Sequence, residues 1–95
     1  MKEREIERKL VGGIAALGGR AYKWVSPGNA GVPDRIVFLP GGLIIPVELK
    51  TETGKLSPLQ AAQIKRLRSL GAPVRVLHGL KDVNEFLEWC AHEAV

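Results

Sequence analysis

The N-terminal segment, residues 2–17, has a helical pattern of apolar positions. Its hydrophobic residues are spaced four, four and three apart, at Ile6, Leu10, Ile14 and Leu17. This spacing places them along one stripe of an amphipathic helix, although Gly12 and Gly13 weaken the pattern. The pair Gly18-Gly19 is a natural stop for a helix. We therefore predict a first helix, followed by a short strand over residues 21–25.

Two apolar runs, residues 35–39 and 43–49, follow a turn-rich loop of small residues. The sequence Pro40-Gly41-Gly42 joins them, which is a hairpin signal. Because proline cannot donate a backbone hydrogen bond, Pro46 indicates an edge position or a bulge in the second strand. The period-two alternation along that strand points Glu48 and Lys50 to the same face.

The remaining chain reads as a helix, a strand and a second helix. The sequence Ser57-Pro58-Leu59-Gln60 combines a serine N-cap, a proline in the first turn and a glutamine that completes a capping box. This helix continues to Gly71, and residues 74–77 form an apolar run that is typical of a buried strand. A last helix is predicted to begin after Asp82. The order is therefore αβββαβα, an α/β fold with a small mixed β-sheet flanked by helices, in a single domain over residues 1–95.

Composition and charge are those of a soluble globular chain with a basic surface. The sequence is 45% hydrophobic and 25% charged, well away from the composition of disordered chains. No apolar run approaches the roughly 20 residues that span a bilayer, so we expect a cytoplasmic location and no membrane partner. Cys90 is the only cysteine, which excludes an intrachain disulfide, and we expect it to be a small buried hydrophobe. The net charge of +4 favours an anionic partner.

Two carboxylates meet at the strand ends of the predicted hairpin. Asp34 begins one arm and Glu48 lies near the end of the other, so pairing of the arms places them side by side. Mg²⁺ and Mn²⁺ typically take one or two protein carboxylates together with carbonyl, water and phosphate oxygens. Asp34 and Glu48 fit that need, and the backbone carbonyl of Leu49 could add another oxygen. Since Lys50 could position a water or neutralise developing charge, the pattern indicates a metal-dependent phosphodiesterase.

Each of these residues also has a structural interpretation. Asp34 follows a proline and could be a turn residue, and Glu48 and Lys50 could form an ion pair. However, an acid and a base in an otherwise apolar strand conflict with packing, and such conflicts tend to mark function.

Three further positions are open to two interpretations. Glu3 and Glu7 lie four residues apart on one face of the first helix, so either could reach the metal. Alternatively, both are solvated glutamates that the helix N-terminus favours. Gln60 could belong to the same site, although the capping box alone would explain it.

The ordered motifs resemble the PD-(D/E)XK nuclease superfamily and, within it, the small stand-alone VRR-NUC domains of phages and bacteria. The matching segments are Glu7, Gly31-Val32-Pro33-Asp34-Arg35, Val47-Glu48-Leu49-Lys50 and Ser57-Pro58-Leu59-Gln60. The resemblance implies a restriction-endonuclease-like core with Mg²⁺ or Mn²⁺ as cofactor. It implies catalytic roles for Asp34, Glu48, Lys50, Gln60 and Glu7. The metal ligands would be Asp34, Glu48, the Leu49 carbonyl and Glu7, with Glu3 as the alternative to Glu7.

The resemblance further implies a structure-selective DNA endonuclease that cuts four-way junctions or other branched DNA as a homodimer, in the cytoplasm of a bacterium or a phage-infected host. Basic residues near the carboxylates and polar residues of the small-residue loop are predicted to contact DNA: Lys23, Ser26, Asn29, Arg35 and Lys55. The main alternative is a non-catalytic nucleic-acid-binding module whose carboxylates only hold the fold. A third is a small interaction protein whose basic surface is incidental.

Overall fold

The computed structural model describes residues 2–93 and has three helices and four strands within them. Residues 1, 94 and 95, which the predicted domain also includes, lie outside the described residues. The elements in chain order are α1 (Glu3–Ala16), β1 (Arg20–Lys23), β2 (Arg35–Phe38), β3 (Ile44–Lys50), α2 (Pro58–Ser69), β4 (Arg75–His78) and α3 (Gly79–Glu93). This is the predicted order αβββαβα, and most boundaries differ from the predicted ones by one or two residues.

The four strands form one mixed sheet in the order β1-β2-β3-β4. The strands β1, β2 and β3 pair antiparallel, whereas β4 pairs parallel to β3. The predicted hairpin is present, and its register pairs Arg35 with Val47. Because β4 is parallel to β3, helix α2 makes the crossover connection between them.

The core lies on one face of the sheet, beneath α1 and α3. Alternate residues of β3 point into it, and the two helices contribute their apolar stripes. The central members are Ile45, Val47 and Leu49 of β3, Ile6, Leu10 and Ile14 of α1, and Val83, Phe86 and Cys90 of α3. Cys90 is fully buried, as its apolar position on the last helix predicts. Among residues 2–93, no helix combines the length and apolar character needed to cross a bilayer.

Pro46 lies in an interior strand, so the predicted edge position is wrong, and the β2–β3 register passes through it without a bulge. The backbone N–H of Leu39 donates to the carbonyl of Leu43 over 2.9 Å. In an antiparallel ladder, hydrogen-bonded and non-hydrogen-bonded pairs alternate. Counted from the hydrogen-bonded pair of Leu39 and Leu43, Ile36 and Pro46 form a non-hydrogen-bonded pair. The proline nitrogen therefore faces the β4 side. Pairing with β4 begins only at Val47. The proline therefore removes no bond from the ladder.

The last helix begins at Gly79, so the predicted start after Asp82 is wrong. The backbone N–H of His78 donates to the Asp82 carboxylate over 2.8 Å. Gly79 itself has φ +75°, which turns the chain directly from β4 into the helix. Asp82 therefore stabilises this junction from within the first helical turn, where a negative charge is favourable.

The small-residue loop before β2 is held against the start of α2. Gln63 donates its side-chain amide to the Ala30 carbonyl over 3.3 Å. Gly31 has φ +87°, and a Cβ at that position would lie 2.7 Å from the Leu59 carbonyl oxygen. Only glycine permits both the backbone conformation and this close approach. The loop thereby fixes the chain that leads into Asp34 relative to α2.

A Gly31→Ala substitution tests this contact. The left-handed backbone alone costs an L-residue about 1–2 kcal/mol, and the clash with the Leu59 backbone adds to that cost. Gly28→Ala is the matched control, because Gly28 has φ +81° but open space around it. Urea denaturation should show a clearly larger loss of unfolding free energy for Gly31→Ala than for Gly28→Ala. Equal losses would mean that the contact with α2 has no energetic role.

Candidate active site

The β2–β3 register brings the two central carboxylates together at one end of the hairpin. Arg35 pairs with Val47, and continuing that register by one residue sets Asp34 opposite Glu48. One Asp34 oxygen, Oδ2, accepts the backbone N–H of Leu49 over 3.0 Å, which orients the carboxylate toward β3. The sequence prediction that these two residues lie side by side is confirmed in the fold, and their roles in metal binding stay a prediction.

Glu48 is buried, with 1% of its surface exposed, and it points away from the apolar face of β3. Its Oε2 atom has two neighbours: Gln60 Nε2 donates to it over 3.2 Å, and Lys50 Nζ lies at 3.6 Å. Its other oxygen, Oε1, is buried and has no hydrogen-bond partner among the described residues. A buried carboxylate oxygen without a partner is costly, so a group that binds it would stabilise the site.

Gln60 serves the helix and the site at once. Its backbone N–H and side-chain Oε1 complete the capping box with Ser57, at 3.1 and 2.9 Å, while its Nε2 reaches Glu48. The sequence left open whether Gln60 caps the helix or belongs to the site, and the side chain does both. The capping geometry fixes where the amide points, and hence the position of the Glu48 carboxylate.

The pKa of Glu48 is raised from 4.5 to about 7. Desolvation by burial is the largest cause, and repulsion from Asp34 adds to it. The ammonium group of Lys50 opposes these effects, and Glu3 contributes a weaker repulsion. Near neutral pH the side chain is therefore partly protonated, and a bound cation would favour its charged form.

Helix α1 brings two glutamates to the edge of this site. A cleft of about 280 Å³ lies between α1 and the strand ends, lined by Glu3, Arg4, Glu7, Lys23, Asp34 and Leu49. Glu7 pairs with Arg35, whose Nε lies 3.1 Å from the carboxylate. Within residues 2–93, no three Asp, Glu, His or Cys side chains are grouped closely enough to hold a metal ion. The helix carboxylate, Glu7 or Glu3, thus lines the cleft without completing a three-carboxylate cluster.

The residues predicted to contact DNA differ in their exposure and in their contacts within the protein. Lys23 lines the cleft, and Lys55 is exposed in the loop before α2. In contrast, Arg35 is engaged within the protein, since it also donates Nη1 to the Ala21 carbonyl over 3.0 Å. Ser26 and Asn29 bond to each other, with the Asn29 amide 3.0 Å from the Ser26 hydroxyl. Their roles in DNA binding stay predictions.

Sequence reasoning missed Arg4 and the structural role of Arg35. Arg4 lines the cleft beside Glu3 and Glu7. The signal for it was present, because a helical repeat places residues three apart on neighbouring positions of one face. No local signal exists for the pair of Arg35 and Glu7, which lie 28 residues apart in sequence.

Comparison with known proteins identifies the family. The sequence profile of the VRR-NUC domain matches residues 6–81. The chain belongs to the VRR-NUC family. The family match thus spans most of the first helix, the hairpin with both carboxylates and the capping box, which confirms the sequence-based resemblance.

Individual relatives of this VRR-NUC chain agree over nearly its whole length. A protein of Acyrthosiphon pisum secondary endosymbiont phage 1, named "Putative nuclease p44", is 49% identical over 87 residues, which cover 92% of each chain. A solved structure described as "VRR_NUC domain" has a TM-score of 0.85 and 36% identity, over 90% of this chain and 94% of that one. A second, described as "VRR_NUC domain protein", has a TM-score of 0.71 at 15% identity, over 93% and 86%, and shares the fold.

The raised pKa of Glu48 makes the stability of this VRR-NUC domain depend on pH. In the folded state Glu48 keeps its proton up to about pH 7, whereas in the unfolded state it releases the proton near pH 4.5. Glu48 therefore contributes stability below pH 4.5 that is lost as the pH rises to about 7. That difference corresponds to about 3 kcal/mol.

Glu48→Gln removes this titration and keeps the shape of the side chain. Urea denaturation in EDTA should show wild type losing stability relative to Glu48→Gln as the pH rises from 4.5 to 8, because only wild type must bury a charge. A constant difference between the two proteins over this range would contradict the raised pKa.

Proposed function

We propose that this protein is a metal-dependent DNA endonuclease of the PD-(D/E)XK type, which hydrolyses phosphodiesters in four-way junctions or other branched DNA. The observation that carries the proposal is the buried Glu48 carboxylate, opposite Asp34 and beside Lys50, with one oxygen that has no partner among residues 2–93. Membership of the VRR-NUC family and the name of the phage relative support nuclease activity.

The donor set fits Mg²⁺ or Mn²⁺. These ions take oxygen ligands and typically use one or two protein carboxylates beside phosphate oxygens, so Asp34 and Glu48 suffice without a third. The Leu49 carbonyl would add a neutral oxygen, and Glu7 or Glu3 would act from α1. When bound, the ion would lower the pKa of a coordinated water and stabilise charge on the scissile phosphate.

The protein side chains divide the remaining tasks. Gln60 holds Glu48 Oε2 and so gives the carboxylate one defined orientation. Lys50, whose side chain is 16% exposed, can donate to the attacking water or to a phosphate oxygen from beside Glu48. The water attacks phosphorus in line with the departing 3′ oxygen, and the P–O3′ bond breaks to leave a 5′ phosphate.

Branched DNA and a homodimer complete the proposal. A four-way junction has symmetric strands that need paired incisions, and two identical sites related by a twofold axis would suit it. The basic net charge of +4 supports an anionic substrate. We place this activity in the cytoplasm of a bacterium or a phage-infected cell, where such DNA intermediates arise.

Cleavage of end-labelled four-way junction, duplex and single-stranded DNA tests the activity. Wild type should cut with Mg²⁺ or Mn²⁺ and not in EDTA, and it should cut the junction fastest. Asp34→Ala and Glu48→Ala should each lower the rate at least about 100-fold, since removal of one charge-stabilising group typically costs that much. Glu88→Gln, an exposed carboxylate on α3, is the control and should cut like wild type.

Two results would overturn the proposal. One is the absence of incision of every substrate, with DNA binding indifferent to divalent ions, which would favour the non-catalytic module. The other is cleavage that Asp34→Ala and Glu48→Ala leave unchanged.

The double role of Gln60 gives a second prediction. Ser57→Ala and Gln60→Ala both break the capping box and should each cost about 1 kcal/mol of stability. Only Gln60→Ala also removes the hydrogen bond to Glu48 Oε2, so it alone should slow cleavage, by about 10-fold or more. Thermal denaturation and single-turnover cleavage of the same samples provide the comparison. Equal cleavage by the two variants would show that Gln60 acts on the helix alone.

A further inference from the structure

Three adjoining cavities lie along α1, and the first of them is beside Asp34. The cleft beside Asp34 shares Arg4 and Glu7 with a neighbouring cavity of about 460 Å³. That cavity shares Arg8 and Gly12 with a third, of about 570 Å³, which reaches Leu80 at the start of α3. We call the surface that the last two cavities form the α1 groove. Its position makes it a path by which a polymer could leave the cleft.

Three basic side chains of α1 line the α1 groove and have no ion-pair or hydrogen-bond partner within the described residues. Arg4 and Arg8 lie one helical turn apart on the same face, and both are exposed. Among residues 2–93, neither guanidinium forms an ion pair or a side-chain hydrogen bond. Lys9 adds a third exposed cation farther along, and Glu5 is the acidic residue beside it.

The acidic residue of the α1 groove that lies nearest the cleft is already paired with a cation. Glu7, which lines the first two cavities, pairs with Arg35 at 3.1 Å. The groove is therefore net positive over its length. An anionic polymer is the partner that this charge fits, and its affinity should fall with salt.

Gly12 is a second, independent sign of a close approach at this surface. A glycine inside a helix costs about 0.5–1 kcal/mol relative to alanine. The neighbouring Gly13 has a structural reason, because a Cβ there would collide with Leu87 of α3. At Gly12, a Cβ would meet no atom of residues 2–93 within 4 Å, so packing gives no reason for a glycine there. The missing side chain leaves the helix backbone open at the point where the two groove cavities meet.

We propose that the α1 groove binds the sugar-phosphate backbone of the DNA strand that passes through the active site. Arg4 and Arg8 contact phosphates outside the cleft, and Gly12 lets the strand approach the helix. The inference rests on the proposed nuclease function and extends it, because it assigns a route for the strand and two phosphate-binding residues that the sequence did not suggest. The occupant is DNA because the groove is net positive and adjoins the cleft beside Asp34, with which it shares Arg4 and Glu7.

Binding of fluorescein-labelled four-way junction, measured by anisotropy over a range of salt, tests this route without turnover. All proteins carry Asp34→Asn and Glu48→Gln, which prevents incision and removes two negative charges from the site. Arg4→Ala and Arg8→Ala should each weaken binding and lower the slope of log affinity against log salt by about 1, as expected for one phosphate contact. Arg66→Ala removes the same charge from α2, on the other side of the sheet, and should leave the slope unchanged.

Gly12→Ala separates the steric role from the charge. It should raise the melting temperature, because alanine favours the helix, and yet weaken DNA binding several-fold. Three results would overturn the proposed route. The double variant Arg4→Ala/Arg8→Ala could bind DNA with the affinity of its parent, or Arg66→Ala could lose as much DNA affinity as Arg4→Ala. The third is a Gly12→Ala variant that binds DNA with unchanged affinity. Failure of the nuclease proposal is a different result, since it would appear as absence of cleavage with groove-dependent binding intact.

Discussion

The burial of one carboxylate at the end of the central strand is the constraint on which the rest of the site depends. Glu48 lies in a strand that is apolar apart from Glu48 itself and Lys50, and it is as inaccessible as the core residues beside it. Removing a carboxylate from water is costly, so the surrounding residues must compensate. Lys50 and Gln60 do so for one oxygen, and the other has no hydrogen-bond partner among residues 2–93.

This constraint accounts for the directional contacts that hold segments distant in sequence around Glu48 and Asp34. The loop at Gly31 is packed against the backbone of α2, and α2 supplies Gln60 through its capping box. On the opposite side, Arg35 links the Glu7 carboxylate of α1 to the Ala21 carbonyl of β1. Each element that meets Glu48 or Asp34 is thus fixed by at least one directional bond. The site is held by hydrogen bonds at the termini of elements, and the apolar core beneath supplies the rigid support.

The sequence predicted those features that depend on local physics. The capping box at Ser57, the glycine turn of the hairpin and the apolar stripe of α1 act within a few residues, and the structure has all of them. Hairpin pairing also placed Asp34 opposite Glu48, since register follows from the turn. The wrong prediction for Pro46 depended on a neighbour that only the fold supplies. Pro46 is tolerated in an interior strand because β4 begins one residue later, which no local pattern reveals.

The turn at the far end of the hairpin has a consequence for how this fold can be extended. Gly41 and Gly42 have positive φ and open space around them among the described residues. The four residue pairs of the β2–β3 ladder, about 13 Å of strand, lie between this turn and Asp34. Extra residues inserted there would meet no packed neighbour and would not disturb the register at the carboxylates. The turn is therefore a natural attachment point for an accessory segment, or for a fluorescent reporter, that leaves the chemistry at the other end undisturbed.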